Sequence, residues 1–66
     1  MQKLQEYRFH CLDDRDHITV SHSMGACSDD EAREIGDGLL RETQCHAVEV
    51  WQKLRLVYRS IRTVQG

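Results

Sequence analysis

The segment Ala47-Val48-Glu49-Val50-Trp51-Gln52-Lys53-Leu54-Arg55-Leu56-Val57-Tyr58-Arg59 alternates so that a β-hairpin made from it is apolar on both faces. Successive side chains of a strand point to opposite sides, so a ribbon of this kind needs two covers. With Lys53-Leu54 as the turn, Trp51 faces Leu56 and Val50 faces Val57. Val48, Val50 and Val57 then share one face, with Arg55 and Arg59 at its ends. Ala47, Trp51, Leu56 and Tyr58 share the other, with Glu49 among them. A one-residue slip exchanges the two sets.

The remaining sequence supplies one cover. Tyr7-Arg8-Phe9-His10-Cys11-Leu12 and His17-Ile18-Thr19-Val20-Ser21-His22 both alternate, and Asp13-Asp14-Arg15-Asp16 between them is a polar turn. A four-residue loop sets Leu12 opposite His17. Cys11, Phe9 and Tyr7 then lie against Ile18, Val20 and His22, with the apolar sets on one face. Ser23-Met24-Gly25-Ala26-Cys27 reads as a connector. Ser28 followed by Glu31 is a capping box, and Asp29 and Asp30 complement the positive helix start. The helix is expected to run to about Thr43. Ala32, Ile35, Gly36, Leu39, Leu40 and Thr43 form its apolar stripe, and Arg33, Glu34, Asp37 and Arg41 lie opposite. Asp29 with Arg33, and Asp37 with Arg41, stand four apart and can pair. Gly36 in the stripe lets the helix approach the sheet closely; Gly38, on the polar side, has no such role.

The expected fold is α+β, with element order β-β-α-β-β: one helix on a four-stranded antiparallel sheet of order 2-1-3-4. The 66 residues make one small domain, with disordered ends at about 1–4 and 63–66. The helix stripe of Ile35 and Leu39 suits the valine face of the second hairpin. Ala47, Trp51, Leu56 and Tyr58 are left as the candidate interface, rich in the ring types that dominate protein contacts.

Composition narrows the function classes. A formal net charge of -2 argues against nucleic acid and anionic membranes as partners. No apolar run is long enough to span a membrane, and the polar start lacks a signal-peptide core. A cytoplasmic location is therefore expected. Cys11, Cys27 and Cys45 are an odd number at spacings that match no zinc ribbon or redox pair, so reduced thiols are expected, with Cys11 a small buried hydrophobe.

Reactive groups are few. His10, His17, His22 and His46 form no close ligand pair with one another or with the cysteines, so no metal or other cofactor is expected. Cys27 precedes the helix start, where the dipole favours a thiolate, but no base is fixed beside it. Asp13-Asp14-Arg15-Asp16 lacks the glycine and distal glutamate of a calcium loop. Arg55, Arg59 and Arg62, with Lys53 before them, form a basic edge that suits phosphate or the acidic helix face of another subunit. No catalytic residues are assigned, and the chain is expected not to be an enzyme.

The blocks Tyr7-Arg8-Phe9, Leu12-Asp13-Asp14, His17-Ile18, Asp29-Asp30-Glu31-Ala32 and Val48-Glu49-Val50-Trp51-Gln52 with Arg55-Leu56-Val57 resemble a group of very short uncharacterised proteobacterial proteins. That resemblance implies a cytoplasmic bacterial protein and carries no activity. Lys53 stands where that group more often has glycine. Gly25-Ala26-Cys27 with Glu31-Ala32 is similar, over a shorter stretch, to HicB-like antitoxin domains, which run three strands before the helix. The leading expectation is a non-enzymatic module that forms a homodimer, or docks on another protein, through the second hairpin. An antitoxin-like regulator is the alternative, and a small metal- or thiol-dependent protein the third.

Overall fold

The computed structural model describes residues 3–62. Strands β1 (Gln5–Leu12) and β2 (Ile18–Ala26) precede helix α1 (Asp29–Glu42), and β3 (Ala47–Gln52) and β4 (Arg55–Ile61) follow it. The strands form one four-stranded sheet of order β2-β1-β3-β4, antiparallel throughout. This is the expected fold and strand order. Two strands precede the helix, where the antitoxin-like pattern has three. The disorder expected at residues 1–2 and 63–66 lies outside the described residues; Lys3 and Leu4 are exposed and precede β1. Among the described residues no helix is long and apolar enough to cross a membrane.

Tyr7, Phe9, Val48 and Val50 are the largest fully buried side chains. They lie on one sheet face, where Ala32, Ile35, Leu39 and Leu40 of α1 pack on them. The helix starts at Ser28, whose Oγ accepts from the Glu31 N–H at 3.2 Å, while the Glu31 carboxylate accepts from the Cys27 N–H. It ends at Thr43, whose N–H and hydroxyl both donate to the Leu39 carbonyl. The expected pairs with Arg33 and Arg41 are replaced. Asp29 turns to Tyr7 and Arg55, and Asp37 accepts from the Tyr58 hydroxyl at 2.9 Å. Arg33 instead bridges Asp30 and lies over the Tyr58 ring.

Two bulges change the expected registers. In the first hairpin, Cys11 pairs with Val20, Phe9 with His22 and Tyr7 with Met24, while Leu12 pairs with Ile18. The extra residue, Thr19, lets Ile18 and Val20 point to opposite faces. The turn is longer than expected because Asp13 Oδ1 accepts from the N–H groups of Arg15 and His17, and Asp16 adopts a φ of 63°. β2 also continues through the expected connector to Ala26. In the second hairpin, Lys53-Leu54 is the turn and Trp51 faces Leu56, as expected. Lys53 has a φ of 56°, a conformation that favours glycine. A bulge then sets Val50 opposite Tyr58 rather than Val57. Tyr58 moves to the helix side, and Val57 packs partly against the core.

Cys11 and Cys45 form a disulfide, with Cα atoms 5.4 Å apart. This corrects the expectation of reduced thiols: Cys45 precedes β3, and the pairing of β3 with β1 carries it beside Cys11. Only Cys27 is free. Closing a loop of sequence separation 34 constrains the unfolded chain by about 4 kcal/mol in the loop-entropy model.

The two helix glycines differ sharply. A Cβ on Gly36 would stand 2.8 Å from Val50 Cγ2, whereas one on Gly38 would meet nothing nearer than the Arg41 guanidinium at 3.9 Å. Gly36→Ala is therefore expected to lower the unfolding free energy by about 1 kcal/mol, the overpacking outweighing the helix-propensity gain. Gly38→Ala is expected to raise it by roughly 0.5–1 kcal/mol. Thermal melts of the two variants measure this; a stabilised Gly36→Ala protein contradicts the close helix–sheet approach.

Candidate docking face

The sheet face away from α1 carries three cross-strand rows, each with one residue from every strand. Strand pairing lines up Ile18, Leu12, Ala47 and Ile61 in the first. The second holds Ser21, His10, Glu49 and Arg59, and the third Ser23, Arg8, Trp51 and Leu56. The face is thus apolar at one end, polar across the middle, and mixed at the other end.

The apolar rows keep much of their surface. Ile18 is 56%, Ile61 53% and Leu56 46% exposed, and Trp51 is half-buried. Leu12 and Ala47, between Ile18 and Ile61, are already buried. Of the four expected interface residues, Leu56 lies exposed and Trp51 half-buried on this face. Ala47 lies on it with no surface to give, and Tyr58 lies on the opposite face. Ile18 and Ile61 were missed. Both reach this face only through bulges, Ile18 at Thr19 and Ile61, with Arg59, at Val57, and alternation reveals neither.

The polar row is satisfied internally. Glu49 Oε1 accepts from Trp51 Nε1 at 3.0 Å, and its Oε2 lies 3.4 Å from the Arg59 guanidinium, which also bonds Asp16 at 3.0 Å. His10 Nδ1 and Ser21 Oγ share a hydrogen bond of 2.7 Å. Serine, histidine and glutamate in one row have the residue types of a hydrolytic triad. Here Glu49 holds Trp51 and Arg59, not the imidazole, and strand amides lie in the sheet plane rather than pointing at a bound carbonyl. The row behaves as paired polar surface, which can be covered without stranding a charge.

The three arginines of the basic edge are likewise paired within the fold. Arg55 forks onto Asp29 with both contacts at 3.3 Å, and Arg62 donates to the carbonyls of Cys45, Leu40 and Thr43 at the end of α1. Among the described residues no three His, Cys, Asp or Glu side chains gather to hold a metal ion. The half-buried Cys27 thiol has no histidine hydrogen-bonded to it. On the helix side, a groove of about 320 Å³ runs beside the disulfide, lined by Phe9, Val20, His22, Leu39 and Val48.

No protein-family model, curated protein or solved structure matches the chain.

Where α1 begins, the buried Tyr7 hydroxyl donates to Asp29 Oδ1 at 2.7 Å. That hydrogen bond, then burial, raises the Tyr7 pKa above its ordinary 10.0. The same bond, then Arg55, holds Asp29 below its ordinary 3.8. Amide donors from His17 and Arg15 lower Asp13 as well. A lowered carboxylate stabilises the fold above its unfolded pKa, and this is lost as pH falls through the folded value. A raised tyrosine stabilises below its unfolded pKa, and this is lost as pH rises through the folded value. Unfolding free energy should therefore drop below about pH 4 and above about pH 10. Asp29→Asn should flatten the acid limb and Tyr7→Phe the alkaline limb in urea titrations. An acid limb unchanged in Asp29→Asn contradicts the network.

Proposed function

We propose that this protein is a non-enzymatic association module whose helix-free sheet face packs on a second copy of the same chain. The carrying observation is the half-exposed Ile18 and Ile61 at one end of this face and Leu56 beside Trp51 at the other, on a 66-residue protein. Trp51 is the rigid anchor of the contact, and Leu56 beside it supplies apolar area at the sheet edge. The satisfied Ser21–His10 and Trp51–Glu49–Arg59 groups allow the central row to be buried with its partners in place. Two such faces related by a twofold axis bring one patch against itself, the commonest symmetry of small oligomers. A bacterial setting remains part of the proposal, and the Cys11–Cys45 bridge favours a compartment that is not strongly reducing.

Light scattering over a concentration series tests the reading. Wild type should show a mass that rises with concentration. Leu56→Arg and Trp51→Ala should each weaken this association by roughly tenfold or more, the scale of an interface hot spot. Leu56→Arg alters an exposed residue, so circular dichroism should show its fold intact. A single-chain mass for wild type at high micromolar concentration overturns the proposal.

A further inference from the structure

Apart from one bulge near its start, the outer edge of β2 lacks the devices that keep sheet edges apart. An edge strand presents a row of unpaired N–H and C=O groups, which proteins guard with charge, proline or bulges. β4, the other edge, carries Arg55 and Arg59. β2 is the longest strand, nine residues of sequence ITVSHSMGA, with no Asp, Glu, Lys, Arg or Pro, and its first six residues are exposed. Its one irregularity is the bulge at Thr19, near one end. The helix leaves this strand largely uncovered, and Val20 is 46% exposed on the helix side.

The sequence of this edge says what fits it. Val20-Ser21-His22-Ser23-Met24 reads apolar, serine, histidine, serine, apolar in either direction. An antiparallel twofold pair sets a strand against its own reverse. Centred on His22, the pair places Val20 opposite Met24 on the helix side, and Ser21 opposite Ser23 on the open side. Every side chain meets one of its own class, and no Asp, Glu, Lys or Arg of the strand enters the pairing. We infer that β2 pairs with β2 of a second copy around His22, joining two sheets into one of eight strands. This contact is separate from the helix-free face, and each can form without the other. With both in use, two edge-paired dimers stack into a closed four-chain particle.

Charge at the axis tests it. His22→Glu and His22→Lys each place like charges directly opposite one another. Each variant should halve the wild-type mass in light scattering at a concentration where wild type is fully associated, and an equimolar mixture should restore it. Variants that keep the wild-type mass, or a mixture that fails to recover it, overturn the inference and leave β2 open to a strand of another protein. His22→Cys in a Cys27→Ser chain gives a second readout independent of stability. Oxidised glutathione, accepting the two electrons and two protons, should link the His22→Cys chains into a covalent dimer. Leu54→Cys in the same background, at a turn position 97% exposed, should stay largely unlinked. Equal linkage of both also overturns the inference. Leu56→Arg judges the helix-free face separately: it should keep edge pairing and lose only the stacking step.

Discussion

The structure depends on a single close contact, the seating of α1 on β3 at Gly36. The helix backbone lies so near Val50 that a Cβ would meet Cγ2 at 2.8 Å. That approach brings Ala32, Ile35 and Leu39 onto Phe9, Val48 and Val50 and closes the core. Asp29 reaches Tyr7 and Arg55 at one end of the helix, and Arg62 reaches the carbonyls of Leu40 and Thr43 at the other. A chain this short buries only about 60% of its unfolded surface. The disulfide between β1 and the segment before β3 adds a constraint that the core alone does not provide.

One helix covers one side of a sheet, and the other side follows from that. In the second hairpin the valines go under the helix, and Trp51 and Leu56 go outward. The outward face is not simply apolar. Its middle row is polar, with Glu49 shared between Trp51 and Arg59 and His10 tied to Ser21. Partners already in place reduce the cost of removing this row from water. The exposed Ile18, Ile61 and Leu56 lie to either side of it.

Much of the fold was legible because periodicity and capping are local. Ser28 with Glu31 marked the helix start, and Gly36 in the stripe marked the close approach. Lys53-Leu54 marked the second turn, and strand order followed from antiparallel neighbours. What escaped depends on single inserted residues and on distant partners. The bulge at Thr19 puts Ile18 on the open face, and the one at Val57 inverts the rest of β4, so Tyr58 left that face and Arg59 and Ile61 joined it. Alternation gives no sign of an extra residue. Asp29 and Asp37 looked like members of helix pairs, yet their partners are Tyr7 and Tyr58, more than twenty residues away. Cys11 and Cys45 are farther apart still, at a sequence separation of 34, and only strand pairing brings them together.

Trp51 is the single tryptophan of the chain and sits on the face whose burial is in question. Its fluorescence therefore reports directly on that face. Acrylamide quenching, followed as the protein is concentrated from low to high micromolar, is the most direct measurement. The account predicts that quenching weakens and emission shifts to the blue as chains associate, with no such change in Leu56→Arg. A Trp51 equally accessible at every concentration, while the mass rises, would contradict it.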